Sequence, residues 1–247
     1  MVFRAMPFVM LATLLLVAMT LPIFTHGSPI GAAGDLITVI YLLALSRFFF
    51  SLAGIDSGNT FAGIGASREL TMGVLIEPVI LLSLLVAGLL AGSTSLGAIS
   101  AAFGSGSIGS IAAGVTATIA FAFAMFVEMG KLPYDMAEAE QELQEGPLTE
   151  YSGPGLALLK LAISLKQMVM AAILIGVFLP FGAAETAGGL ALIGAALAFL
   201  VKLAGVFLLV GLIENSVART RFRLASRATW AGFGIAALAF AFYLVGL

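Results

Sequence analysis

Seven continuous apolar stretches leave this chain few ways to fold. They cover residues 7–24, 36–54, 70–91, 108–129, 155–179, 186–213 and 229–247. Each is close to the ~20 residues an α-helix needs to cross about 30 Å of hydrocarbon. Lipid offers no water to a free N–H or C=O, so only helices and closed barrels can span it. The runs are continuous rather than alternating, which argues against a barrel. The expected fold is therefore all-α: a polytopic transmembrane bundle of about seven helices. The first run is too long for a signal peptide, lacks a clear small-residue cleavage site and precedes further spans, so it reads as a helix. The whole of 1–247 reads as one transmembrane domain with an acidic loop at 130–154.

Composition removes the soluble alternatives. The 247 residues are 61% hydrophobic and 10% charged, against about 25% charged in ordinary globular domains. That is too little charge to cover a water-facing surface. Eleven Lys and Arg against thirteen Asp and Glu leave a net charge of −2, with no basic excess to hold a nucleic-acid backbone. Cys is absent and His26 is the single histidine. Disulfides, thiolate zinc sites, iron–sulfur ligation and multi-histidine metal sites are excluded on that ground. No metal site and no cofactor is expected in this chain.

The cations set the orientation. Arg4, Arg68, Lys131 and the group Arg219, Arg221, Arg223 and Arg227 fall at the N-terminus and in the second, fourth and sixth connections. The alternate connections hold no Lys or Arg. The positive-inside rule then places the N-terminus in the cytoplasm and the C-terminus outside. The fourth connection is the one long hydrophilic segment. It carries Asp135, Glu138, Glu140, Glu142, Glu145 and Glu150. A plain solvated acidic face is one reading, and a docking surface or charge-relay entrance is the other.

Several charges sit inside the runs, each at about 2.5–3.5 kcal/mol on insertion scales. Glu77 follows Arg68 by nine positions, which is roughly 13 Å of helix rise. Lys166 and Lys202 fall near the middle of their runs, and Lys160 near an end. Glu128 closes the fourth run, Glu214 lies at the end of the sixth, and Arg47 lies toward the same side in the second. Such groups either form buried pairs that fix helix register or line a hydrated path for protons. Lys160 is the natural candidate to snorkel. Other features are weaker. Gly88 and Gly92 read as a helix-packing pair. Pro78 and Pro180 can kink or end helices. Gly63-Ile64-Gly65 lacks the context of a phosphate loop. His26 reads as a loop residue, and the charge-free last helix as lipid-facing.

The segment Glu128-Met-Gly-Lys-Leu-Pro-Tyr-Asp135 is followed by Met-Ala-Glu138-Ala-Glu140-Gln-Glu142-Leu and then by Thr-Glu150-Tyr151-Ser-Gly. It resembles the acidic loop of the respiratory complex I membrane component usually called subunit 1, with Lys131 and Tyr134 where that family usually has Arg and Phe. The Arg68 to Glu77 spacing is similar too. The glycine-rich 54–69, the Glu150-to-Lys160 segment and Ile213-Glu-Asn-Ser-Val-Ala-Arg219 look like the membrane-bound group 4 nickel–iron hydrogenases and their formate hydrogenlyase relatives. Against that family's usual eight or so spans, the first is the one not matched here.

The resemblance implies a membrane anchor and coupling subunit of an ion-translocating oxidoreductase complex, without a redox centre of its own. The nickel–iron centre and iron–sulfur clusters would lie in partner subunits. Those partners would be hydrogenase-like large and small subunits, iron–sulfur subunits and antiporter-like membrane subunits, in the cytoplasmic membrane. Glu77, Glu128, Asp135, Glu138, Glu140, Glu142, Lys166, Lys202 and Glu214 would carry coupling. Asp56, Arg68, Glu69, Lys131, Glu150 and Tyr151 would shape the docking rim. The alternatives are a quinone- or sulfur-reducing relative, a free-standing secondary transporter, and a purely structural anchor.

Overall fold

The computed structural model describes residues 1–137, 140–184, 188–220 and 222–246. Its described residues are mainly helical, with isolated bridges Thr25–Ala184 and Asp35–Ser95 but no strand. The order is α1 (Val2–Thr20), α2 (Leu36–Asp56), α3 (Thr60–Ala91), α4 (Leu96–Ser105), α5 (Ile111–Glu128), a single turn α6 (Glu140–Leu143), α7 (Gly153–Ile173), α8 (Gly189–Ser216) and α9 (Phe222–Val245). Seven of these are long and apolar enough to cross a membrane. This is the multi-pass helical architecture that the apolar runs require.

Local chemistry sets the helix ends. Asp35 accepts the Ile37 N–H at 3.1 Å, Asn59 the Phe61 N–H at 2.8 Å and Ser110 the Ala113 N–H at 3.1 Å, each satisfying a donor the first turn leaves open. Gly92 stops α3 with φ +65°, a left-handed cap that glycine takes without strain. Gly92 is thus a helix stop, and of the Gly88/Gly92 pair only Gly88 faces neighbouring atoms closely. After Ile173 the α7 helix widens into a π-turn over Leu174–Phe178, just ahead of Pro180.

Two elements differ from the sequence expectation. The third helix begins at Thr60, ten residues ahead of the apolar run. Gly63 and Gly65 lie inside it. A side chain at Gly65 would collide with the Ala137 carbonyl and Pro147, so glycine here lets the acidic connection lie on the helix. The Gly/Ser connection at 92–107 contains a helix, α4, too short to cross a membrane.

α3 is the centre of the bundle. It packs against α2, α5 and α9, while α1 packs on α2 and α7. Apolar solvent gives little drive to bury apolar surface, so close packing must hold the helices together. The α5–α9 seam shows how. Ala113, Ala117, Ala120 and Ala124 of α5 are buried, as are Ala225, Ala236 and Ala239 of α9. Gly232 sits where any side chain would strike the Phe123 ring. α9, read from the sequence as lipid-facing, thus docks one face on α5 and α3 and leaves Leu224, Trp230, Leu238 and Leu244 exposed. The little-covered helix is α8: its buried residues are Ala195, Leu203 and Val210, and its main contacts are with α7 and the π-turn.

Candidate functional site

Five ionisable side chains from four helices converge where the bundle meets the acidic connection. α2 supplies Arg47, α3 supplies Glu69 and Glu77, α5 ends in Glu128, and α7 brings Lys166. Arg47 is the hub. Its Nη1 donates to Glu77 Oε1 at 2.5 Å, its Nη2 donates to Glu128, and its Nε lies 3.9 Å from Glu69. Lys166 Nζ lies 2.9 Å from Glu128 and 3.7 Å from Glu69. Glu128 is thus held by two cations, whereas Glu69 stands just beyond hydrogen-bond range of both.

The geometry follows from helix periodicity. Glu69, Gly73 and Glu77 are spaced four residues apart, so they lie on one face of α3. Gly73 is the notch between the carboxylates: a Cβ there would sit 2.7 Å from Arg47 Cδ and Nη1. The guanidinium can therefore lie against the α3 backbone. Three carboxylates against two cations give the cluster a formal charge of −1. Arg47 and Glu128 are 5% and 7% exposed, but Glu77 is 44% exposed, so the cluster has an open side.

A cavity adjoins it. The cavity is enclosed by Met10, Phe50, Glu69, Tyr134, Asp135 and Lys166 among others. The room for water centres is about 60 Å³, several times the ~10–15 Å³ one water needs. A second space, about 10 Å³ by the same measure, lies beside Glu77, Ile40, Leu43 and Ile80. Arg47 and Glu128 form a wall of both.

The remaining expected residues sit around this centre. Asp135 is paired with Arg219. Arg68 Nη1 donates to Glu142 at 2.7 Å, which holds the Glu142 carboxyl below its ordinary range, the hydrogen bond acting first and the charge second. Glu150 accepts from Asn59 Nδ2 at 2.6 Å. Tyr151 stacks on Phe3 with ring centres 4.1 Å apart, and its hydroxyl donates to the Phe3 carbonyl at 2.6 Å. Burial, then the Asp56 charge, pushes the Tyr151 phenol up to about 12. Asp56 accepts the Phe3 N–H at 2.9 Å. Lys131 and Glu214 stand 4.0 Å apart, and Lys160 is 3.9 Å from Glu145. Glu138 lies outside the described residues, as does the side chain of Glu140.

Lys202 is not brought into the cluster. Its ammonium donates to the carbonyls of Leu179 and Phe181, which follow the π-turn. Conversely, Arg47 has a larger place than its sequence position revealed. The available signal was an arginine in an otherwise apolar helix, a charge that burial permits only with partners from other helices. Gly73 carried a second signal, as the midpoint of Glu69-x-x-x-Gly73-x-x-x-Glu77. Among the described residues, no group of three or more His, Asp or Glu is arranged to hold a metal ion.

The fold and the cluster define a class: a multi-pass helical membrane protein with a buried ion-pair network beside a water-sized cavity. Comparison with known proteins supplies the family. The chain belongs to the NADH dehydrogenase family, whose profile matches residues 1–245. It is 53% identical to hydrogenase-4 component C of Escherichia coli over 245 residues, covering 99% of this chain and 78% of that protein. It is 52% identical to formate hydrogenlyase subunit 4 of the same organism, covering 97% of this chain and 78% of that one. An NADH-quinone oxidoreductase subunit of Carboxydothermus hydrogenoformans is 31% identical over 58% of this chain and 43% of its own length. Among solved structures, a chain of the membrane-bound sulfane sulfur reductase, an archaeal respiratory membrane complex, superposes with a TM-score of 0.80 at 25% identity. That match covers 97% of this chain and 78% of the solved one.

Proposed function

We propose that this chain is the membrane anchor and coupling subunit of an ion-translocating, hydrogenase-like respiratory complex in the cytoplasmic membrane. It links electron transfer in a peripheral nickel–iron and iron–sulfur module to movement of protons or sodium ions. The observation that carries this reading is the cluster of Arg47, Glu69, Glu77, Glu128 and Lys166 beside a water-sized cavity. A network with one carboxylate more than its cations can take up one positive charge and become neutral, which low-dielectric surroundings favour. The acidic connection packs directly on it through Tyr134 and Asp135. A change at a docked partner can then reach the cluster through that connection. The loop and the N-terminus face the cytoplasm on this reading, in line with the distribution of Lys and Arg.

Higher identity over nearly the whole chain supports hydrogenase-type partners over quinone-reducing ones. The sulfane sulfur reductase superposition supports a second reading, the same coupling role beneath a sulfur-reducing module. The test is Glu77→Gln in the complex within inverted membrane vesicles. Hydrogen turnover continues while the ions moved per hydrogen fall ~10-fold, within the usual span of coupling energies. Pumping at the normal ratio in that variant would overturn the proposal.

A further inference from the structure

We infer that Arg47, riding in the notch at Gly73, is a gate between the two spaces that flank the cluster, the larger roomy enough for several waters and the smaller for about one. The inference rests on the coupling reading above and adds a moving part to it.

Three observations combine. First, the larger space holds Glu69 and Lys166, the smaller holds Glu77, and Arg47 with Glu128 forms a wall of each. The Arg47–Glu128 pair therefore stands between the two spaces. Second, Arg47 is poised between two carboxylates on one helix face. It holds Glu77 at 2.5 Å while its Nε stands 3.9 Å from Glu69, about 1 Å short of a normal hydrogen bond. A small shift therefore trades one carboxylate for the other. Third, that shift needs a track, and α3 provides one. Gly73 lies midway between Glu69 and Glu77, where any Cβ would meet the guanidinium at 2.7 Å. Lys166 is already placed on the Glu69 side, 3.7 Å away. Charge that Arg47 brings to Glu69 or withdraws from it is thus shared with a second cation, while Glu128 stays bound to both.

The step is a single ion transfer. When Arg47 moves toward Glu69, Glu77 loses its counter-charge and its carboxylate takes a proton, or another monovalent cation, from water. When Arg47 returns, its positive charge expels that ion. No electron moves within this chain.

Two variants of the whole complex, assayed in membrane vesicles, push the gate in opposite directions. Gly73→Ala fills the notch. The ions moved per hydrogen, followed with pH-sensitive and sodium-sensitive dyes, fall at least ~10-fold, and an imposed gradient is held as tightly as in the parent. Arg47→Lys keeps the charge but replaces a fork by a point charge, which cannot hold Glu77 and Glu128 together. Its vesicles leak an imposed pH or sodium gradient in the absence of any electron donor. Gly63→Ala, with open space around its Cβ position, matches the parent in both assays. Normal pumping in Gly73→Ala overturns the gate, as do leak-free Arg47→Lys vesicles. If Gly73→Ala does not assemble, the leak in Arg47→Lys decides alone. Should Glu77→Gln stop pumping while Gly73→Ala pumps normally, the gate fails and the coupling role stands. Should Glu77→Gln pump normally, the coupling role itself fails.

Discussion

Arg47 and Arg68 each reach a glutamate far away in sequence, Glu128 at 81 positions and Glu142 at 74. Both contacts join a spanning helix to the end of the bundle that carries the acidic connection. Their surroundings differ. Arg47 and Glu128 are 5% and 7% exposed, Arg68 and Glu142 24% and 55%. At the exposed pair water screens the attraction, and losing a partner returns the other charge to solvent. At the buried pair the lost partner leaves a charge short of a counter-charge and cut off from bulk solvent. One residue pairing thus yields a surface clasp in one place and an obligatory network in the other. What separates them is which helix face the carboxylate lands on.

The largest expected effect tests that contrast directly. Glu128→Ala leaves Arg47 and Lys166 buried with one carboxylate fewer, at a cost of about 3–5 kcal/mol. Glu142→Ala costs less than about 1 kcal/mol. The measurement is the thermal midpoint and yield of the assembled complex in mild detergent. Equal losses at the two sites would break the comparison.

An intermediate effect is expected at Lys202, a partly buried cation that meets carbonyls instead of a carboxylate. Lys202→Leu removes charge-assisted bonds of about 1.5–3 kcal/mol and loosens α8, which has few other contacts. Phe24 and Phe199 now stand with rings 5.9 Å apart. In a chain without native cysteines, Phe24→Cys with Phe199→Cys should be joined by a bifunctional thiol reagent that spans the two ring positions, and Lys202→Leu should lower that yield. An unchanged yield would show that Lys202 does not tether the helix.

The smallest effects are at the exposed end and depend on pH. The Glu142 carboxyl sits below its ordinary range because Arg68 donates to it. Its contribution is present above the unfolded carboxylate value and is lost as pH falls through the lowered folded value. Carboxylate chemical shifts should show that midpoint return to normal in Arg68→Gln. The Tyr151 phenol has the opposite sign. It is raised to about 12, so its contribution is complete below the unfolded value near 10 and is lost as pH rises to about 12. The phenolate absorbance that disappears in Tyr151→Phe should titrate in that upper window.

The exposed and buried regions were not equally legible. Each acidic residue of 130–154 was visible as a charge in a hydrophilic connection, and its motif carried the family resemblance. Glu77, Glu128 and Lys166 were visible as charges that a membrane span does not carry without use. Their mutual arrangement was not. Arg47 was visible as a charge in an apolar helix but not as the hub, because its three carboxylates come from two other helices and the choice among them is made by packing. Lys202 shows the converse. In sequence it resembles Lys166, yet it faces carbonyls following the π-turn, a backbone feature with no residue code of its own. α8 and α9 are both rich in small residues, such as Ala191, Gly194, Ala195 and Ala198 in the first, yet only the second docks on α5, a choice that packing makes.

The sequence by itself determined the solvent, the helical class and the number of long apolar helices. These follow from the cost of unsatisfied backbone groups and charges in lipid, which is paid residue by residue along the chain. It also determined where charge collects. The tertiary structure alone decided which charges meet, because a buried ion pair is set by distances of a few ångströms between helices. Spacing along one helix fixes only which face a residue occupies. Glu69, Gly73 and Glu77 share a face by periodicity, but only the arrival of Arg47 from α2 makes that face a site.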